Sequence, residues 1–433
     1  MRSVTQSAFY LLYRLIAWPA LRGAFSLLAR FNKKIALGLS MRAPDKDGRP
    51  PWLRWEENQQ PIWFHCASME FEYAKPVIRR LKELRPEQKV LVTYFSPSAA
   101  KATSNFPGVD FATPMPWDTP ATMRKFLEWH RPKALLIART DTWPEMLRQS
   151  KNFGIPTLLF SATFGQGSGR ARGPGRWIAR ASFSLLDQIF CVGDEDFETF
   201  RSLGFADRVK IGGDTRYDQV SARLAEPKPL REDLFLGKTP ETIFVAGSTW
   251  PEDEDALIDV IRDARNHLNF VVVPHEPTEE HLQAIESKLA AKEIWSCRYS
   301  TATEWTEGSV LLVDKIGILA ELYAKGRFAL VGGSFKKNVH SVMEPLAAGA
   351  VVFVGPHFGN NREAVEFQNV KHGLIAAVQS TEDTQDLFEK LELVRVNYTS
   401  DVTKTILEAV RQRSGRTEDV VRWCLAPLGD ASH

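Results

Sequence analysis

Polar side chains gather in the turns that end this chain's apolar segments, and the densest group is FALVGGSFKKNVHSVMEPLAAGAVVFVGPHFGNN, residues 328–361. An apolar strand over 328–331, a glycine turn, a helix over 339–348 and a second strand over 351–354 make a βαβ unit. In open α/β sheets ligands bind beyond the carboxyl ends of such strands, where helix N-termini offer N–H groups to anions. Gly332 and Gly333 let backbone approach a phosphate, and Lys336 and Lys337 add positive charge. The spacing places Glu344 one helical turn after His340, where its carboxylate can grip a ribose diol. The same residues also read as an ordinary turn with a helix-capping charge.

Four further polar turns follow apolar segments: HCASMEFE (65–72), GSTWPE (247–252), PHEP (274–277) and DKIG (314–317). Five such turns on one sheet edge describe a cleft. Glu70 there is either an acid or base for proton transfer or a helix-first-turn glutamate that favours the helix dipole. His65, His275, His340 and His357 sit in separate loops with no HExxH spacing, so no metal is expected. The absence of GxGxxG after the first strand and of GxxxxGK[ST] argues against a dinucleotide or P-loop site.

The elements that must position these turns repeat regularly. Strands over 62–66, 90–95, 134–137, 157–160 and 188–192 alternate with helical stretches such as 73–84 and 120–129. A second alternation has strands over 243–246, 270–273, 310–313, 328–331, 351–354 and 374–376. The spacing predicts an α/β chain of two Rossmann-like doubly wound domains, 48–219 and 241–400, facing one cleft. Residues 220–240 form a linker, and 401–433 hold terminal helices over 402–412 and 418–425.

A length of 433 residues fits two domains. The net charge of +2 excludes a dedicated nucleic-acid binder, which needs lysines and arginines clustered over a face. Cys66, Cys191, Cys297 and Cys424 are far apart and read as reduced thiols. No acidic residue precedes Asp45, whereas residues 1–44 carry many basic ones. The apolar stretch 8–31 is interrupted by Arg14 and Arg22 and holds Pro19. A span needs about twenty apolar residues, so residues 1–47 are expected to lie in a membrane interface, with Arg14, Arg22 and Arg30 at anionic headgroups. Packing of this helix on its own domain is the other reading, and a cleaved signal peptide is not expected.

With HCASMEFEYAKP, GDTRYD, AGSTWPEDE, VPHEP and the block VGGSF…HSVMEP…VGPHFGNN in view, the chain resembles the bacterial 3-deoxy-D-manno-octulosonic acid (Kdo) transferases. These are membrane-bound glycosyltransferases of GT-B architecture that move Kdo from CMP-Kdo to a lipid A precursor. The resemblance runs from the N-terminus to about Asn361. It implies a GT-B fold, CMP-Kdo as donor, a lipid A precursor as acceptor, no metal cofactor, and a place on the cytoplasmic face of the inner membrane.

The family's HxxSxGE loop implies that Glu70 is the catalytic base, with Met69 where glycine is usual and Glu72 as the fallback. Its ETExWP motif stands here as RTDTWP, with Arg139 in place of the first acid and Asp141 as an acidic helper. Arg216 of GDTRYD matches a basic position that stabilises developing charge. For the donor, Ser248 and Thr249 fall in the AGSTWPEDE block, and Pro274-His275 match a Pro-Arg pair. Ile316-Gly317-Ile318 match Met-Gly-Glu, Ser341 to Glu344 match Asn-x-x-Glu, and Lys337, His340 and Asn361 complete the set. Another GT-B enzyme with a different nucleotide sugar, or an inactive membrane-bound homologue, is the alternative reading.

Overall fold

The structure, a computed structural model, describes residues 2–165, 169 and 172–426. The chain forms two compact units, one from residues 1–219 with 414–433 and one from residues 220–413.

The first unit holds β1 (Ile62–His65), β2 (Val90–Tyr94), β3 (Phe111–Pro114), β4 (Ala134–Ala138), β5 (Thr157–Ala162), β6 (Gln188–Cys191) and β7 (Val209–Ile211). They form one sheet in the order β3-β2-β1-β4-β5-β6-β7, and Ile62 pairs in parallel with both Val90 and Ala134. Every residue of β1, β2, β4 and β5 is buried, because helices cover both faces of a parallel sheet. That is why these strands read as unbroken apolar runs. The edge strands β3 and β7 were not anticipated: β7 exposes Lys210 and Ile211, and β3 ends on a proline, so neither has an apolar run. The chain starts at β1 in the middle, winds outward to β3 and returns to β4, so the winding reverses between β1 and β4.

The second unit holds β8 (Ile243–Thr249), β9 (Asn269–Pro274), β10 (Ser296–Arg298), β11 (Val310–Leu312), β12 (Phe328–Val331) and β13 (Val351–Val354). There follow β14 (Lys371–His372), β15 (Ile375–Ala376) and β16 (Val378–Ser380). Its sheet runs β10-β11-β9-β8-β12-β13-β16 and reverses between β8 and β12. Two expectations are corrected here. The strand expected over 374–376 is mostly the second arm of an antiparallel ribbon, β14 with β15, and Val378–Ser380 joins the sheet instead. The helix expected over 339–348 is only Met343–Ala347. Its missing start has other partners: Asn360 brackets Val339 with bonds to its N–H and C=O, both 3.1 Å, and the His340 N–H bonds the Gly332 carbonyl at 3.1 Å.

The terminal stretch divides between the units. Helix Ser400–Arg413 stays with the second, whereas helix Thr417–Leu425 returns to the first and buries Val420, Val421 and Cys424 beneath helix Phe71–Leu84.

At the N-terminus, helices Arg2–Leu12 and Trp18–Leu28 are joined by a π-turn, Tyr13–Ala17. Pro19 lacks an N–H and its ring would collide with the carbonyl four residues earlier, so the wider turn absorbs the proline without breaking the helix. One face of this segment is docked on the first unit. Tyr13 donates to Asp118 Oδ2 at 2.7 Å, and Arg14 grips Glu145 with bonds of 2.7 and 3.0 Å. Arg14 was expected at lipid headgroups; it is spent on a buried glutamate instead. The opposite face leaves Leu12, Leu15 and Ile16 between 51 and 67 % exposed, and no helix among the described residues is long and apolar enough to cross a membrane.

Candidate active site

At the reversal point of the first sheet, β1 ends on His65 and the turn after β4 carries Asp141. The two meet: His65 Nε2 lies 2.9 Å from Asp141 Oδ2, which also accepts the Trp143 indole N–H at 3.2 Å. On its other side His65 Nδ1 is 2.9 Å from the Thr93 hydroxyl, which accepts from Trp63 Nε1 at 2.8 Å. With Asp141 as a carboxylate, Nε2 carries the proton and Nδ1 accepts from Thr93. A fully buried imidazole thus fixes a partly exposed acid in the site.

Glu70 stands at the head of helix Phe71–Leu84, half-buried, with Oε2 accepting the Ser68 N–H at 2.7 Å. Glu72 is paired with Lys75. Burial chiefly, and then the charges of Glu70 and Asp141, push the Cys66 thiol pKa up, so both carboxylates act on one buried atom. Tyr73, in the first turn of the helix, carries two guanidinium groups on its ring, Arg216 at 4.6 Å and Arg139 at 5.6 Å. Arg216 is oriented by Asp214, with its Nη2 at 2.7 Å from Oδ2, and Arg139 donates to Thr163 at 2.9 Å. The structure therefore gathers Glu70, Asp141 and Arg216 around one strand-end region, together with Arg139.

An apolar cavity of about 530 Å³ adjoins this cluster. Phe9, Leu12 and Ile16 of the N-terminal segment form one wall, Trp177 and Ile178 another, and Asp141 and Trp143 its polar end.

In the second unit the reversal point lies between β8 and β12. Asp253 ties their turns together by accepting the N–H groups of Trp250, Gly333 and Phe335 at 2.9, 2.7 and 3.0 Å. The close approach that Gly332 permits is to the protein itself, since a Cβ there would fall 2.2 Å from the Ser248 carbonyl oxygen. Ser248 has φ of 55°, the left-handed region that costs a non-glycine residue energy and collects at ligand sites. Above the turns, the His275 ring stacks on His340 at 4.5 Å and on Trp250 at 4.8 Å, while the Trp250 indole donates to His340 Nε2 at 3.0 Å. Burial and the neighbouring His275 lower the His340 pKa. Lys336 covers the Trp250 ring at 3.9 Å. This flat, cation-capped stack is suited to a base or a phosphate.

The remaining donor candidates differ in how they are placed. Glu344 is ion-paired at 2.6 Å with Arg223, which also lies 3.8 Å from the buried Glu321. His340 lies outside the helix that carries Glu344, so the two do not share a helical face. Asn361 caps helix Arg362–Phe367 through the Ala364 N–H at 2.9 Å and donates to the His340 carbonyl at 2.9 Å. Thr249 is buried and bonded to Glu254 at 2.9 Å. Pro274 and the side chain of Ile318 are buried, whereas Ile316 is 82 % exposed beside Gly317. Lys337 and Ser341 are exposed. Of the basic residues expected at headgroups besides Arg14, Arg22 rests on the Trp117 ring at 5.7 Å, and Arg30 is exposed. Among the described residues no group of three or more His, Cys, Asp or Glu side chains is arranged to hold a metal ion.

Sequence reasoning missed His65 as a partner of Asp141, the stacking role of Trp250, and Arg223. A histidine and a threonine ending two adjacent buried strands was a usable signal for the first. Arg223 had none, because its partners lie about a hundred residues away.

Residues 42–219 match the family model described as 3-Deoxy-D-manno-octulosonic-acid transferase (kdotransferase). The chain is 29 % identical over 341 residues to the 3-deoxy-D-manno-octulosonic acid transferase of Aquifex aeolicus, covering 77 % of this chain and 86 % of that one. It is 23 % identical over 344 residues to the transferase of the same name from Chlamydophila psittaci, covering 78 % of this chain and 77 % of the relative. Among solved structures it superimposes on UDP-GlcNAc 2-epimerase from Neisseria meningitidis bound to UDP-GlcNAc, with a TM-score of 0.60 and 15 % identity over 84 % of this chain and 99 % of that one. That likeness is one of fold, two parallel-sheet α/β domains of the GT-B kind. With the family model on the unit that carries Glu70 and Asp141, and transferase relatives along most of its length, the chain is similar to the 3-deoxy-D-manno-octulosonic acid transferases in both its units.

Proposed function

We propose that this chain transfers Kdo from CMP-Kdo to a lipid A precursor at the cytoplasmic face of the inner membrane. The observation that carries the acceptor reading is the apolar cavity that runs from the N-terminal segment to Asp141. An acyl chain placed there leaves its sugar hydroxyls at the polar cluster of the first unit. Glu70 takes the proton of the acceptor hydroxyl as its oxygen attacks the anomeric carbon of Kdo, and the bond to CMP breaks with the electron pair leaving on the phosphate. Arg216 balances the charge that develops, and Asp141, held by His65 and Trp143, orients the acceptor by hydrogen bonding. The stack of Trp250, His275 and His340 with Lys336 receives the nucleotide in the second unit, and Glu344 contacts the ribose. No metal is assigned a role.

Incubating the purified chain with CMP-Kdo and a lipid A precursor, followed by mass spectrometry, tests the reading. A lipid heavier by one or more Kdo residues, formed equally well with EDTA, is expected. An unmodified lipid with CMP-Kdo, together with turnover of a different nucleotide sugar, defeats it.

A further inference from the structure

Where Arg22 and Arg42 meet helix Pro120–His130, the first unit holds a second cavity, of about 540 Å³. Arg22, Arg42 and Lys125 line it, and no aspartate or glutamate does. Arg42 is its fixed point. Its guanidinium lies over the rings of Phe95 and Trp117 at 4.7 and 5.2 Å. It donates to the carbonyls of Met115, Gly38 and Phe95 at 3.2, 2.8 and 2.9 Å. Among the described residues no carboxylate lies within ion-pair distance of it. Burial lowers its pKa to about 10. A cation held among neutral carbonyls and ring faces lacks the counter-charge that offsets desolvation. Three of its five N–H donors are used by these bonds, and two remain.

A second feature converges on the same space. Ala121 and Thr122, from the first turn of helix Pro120–His130, line the cavity and bring the positive end of that helix to it. Three cations and a helix N-terminus with no acid suit a dianion with several oxygens. The volume is larger than a free ion needs, so the anion is carried on a larger molecule.

We infer that this cavity binds a phosphate monoester, with Arg42 as its fixed cation and the exposed Arg22 and Lys125 at its rim. Arg22 belongs to the helix that also exposes Leu27 and Leu28, which favours a phosphate carried on a lipid over a soluble one. The inference rests on this cavity alone and does not depend on the transferase reading.

Calorimetry on the full chain with inorganic phosphate tests the shared chemistry. Saturable binding with Kd on the order of 1 mM or tighter is expected. The double variant R22M/K125M should weaken it at least ten-fold with an unchanged melting temperature, because both side chains are exposed. K33M/K34M removes the same charge outside the cavity and should leave phosphate binding as it was. Vesicles of phosphatidylcholine containing either phosphatidate, a monoester, or phosphatidylglycerol, a diester, at matched surface potential identify the source. A preference for phosphatidate that R22M/K125M loses assigns the site to a lipid phosphate. Phosphate binding without that preference assigns it to a soluble monoester. No saturable phosphate binding, or equal binding by wild type and R22M/K125M, overturns the inference.

Discussion

Glu70 and Glu72 are two residues apart and differ in what holds them. Glu72 is neutralised by Lys75, whereas Glu70 takes only a backbone N–H from Ser68 in the bonds described, and it stands in the region where Asp141 and two arginines collect. Glu70→Gln keeps that bond and removes the proposed base. Transfer should fall by about a hundred- to ten-thousand-fold with CMP-Kdo binding retained, while Glu72→Gln costs under ten-fold. Near wild-type turnover in Glu70→Gln would remove the mechanism. Glu344 poses the opposite question, because its carboxylate already has Arg223. If it contacts the ribose, Glu344→Gln should weaken CMP binding about ten- to a hundred-fold, since hydrogen bonds to a charged acceptor contribute roughly 1.5–3 kcal/mol. Equal loss of thermal stability in Glu344→Gln and Arg223→Met, with CMP affinity unchanged in both by calorimetry, would reduce Glu344 to a structural ion pair.

Among the elements, the docked N-terminal helix depends most on single contacts. Arg14→Met leaves the fully buried Glu145 carboxylate without its arginine. Losing one partner of a buried pair is strongly destabilising, but Arg14 is 35 % exposed and water screens part of the loss, so a cost of about 2 kcal/mol is expected. Faster proteolytic cleavage within residues 2–28, with the rest of the first unit intact, is the readout; unchanged cleavage would show that the aromatic contacts suffice. This element also shows where sequence reading stops. Its apolar character and its proline were visible, yet nothing in the sequence said that Arg14 would meet a glutamate 131 positions away. Local pattern located the central strands, because burial on both faces writes itself as unbroken apolar runs. The start of the helix expected over 339–348 failed for the same reason as Arg14: Asn360 and Gly332 take up the backbone groups that a helix needs. The turns that carry the candidate site were legible as turns, and the pairing of His65 with Asp141 across two strands was not.

On the scale of the whole molecule, the first unit carries two buried groups whose titrations oppose one another. His130 donates through Nε2 to the Trp52 carbonyl at 2.9 Å, while its Nδ1 has no partner, and burial lowers its pKa from 6.5 to about 4. Between those values the unfolded chain binds more protons, so this group's contribution is full above pH 6.5 and is lost as pH falls to about 4. Asp118 runs the other way: burial raises it from 3.8 to about 6, against the bonds from Tyr13, Glu145 and Met146. The native state then binds more protons, and its contribution grows as pH falls through that window. Each amounts to about 3 kcal/mol. Asp118→Asn should therefore unmask His130, with stability in urea falling by about 3 kcal/mol between pH 6.5 and 4, and His130→Gln should reverse the slope. Identical pH profiles for the two variants would show that neither group titrates in that range.

The molecule's outer surface raises the last question, whether the exposed face of the N-terminal segment meets a membrane. Its inner face is committed to the first unit by Tyr13, Arg14 and Trp18, so Leu15, together with Leu12 and Ile16 at the cavity's mouth, stays more than half exposed on a scaffold that is already ordered. A preordered apolar face avoids the entropy cost that a free amphipathic helix incurs on binding, and each side chain taken out of water contributes about 25 cal/mol per Å² of apolar area. The basic residues Arg22, Arg30, Lys33 and Lys34 add roughly 1 kcal/mol each near an anionic surface, a term that salt removes. In flotation with anionic vesicles the full chain should rise with the lipid, less so at high salt. L12Q/L15Q/I16Q should weaken that binding at least ten-fold while leaving the melting temperature unchanged, since these side chains are already more than half exposed. Truncation would be a poorer test, because removing residues 1–42 also uncovers the aromatic face on which the segment is docked. If the triple variant floats as the wild type does, the face has another use and the acceptor must reach Asp141 by another route.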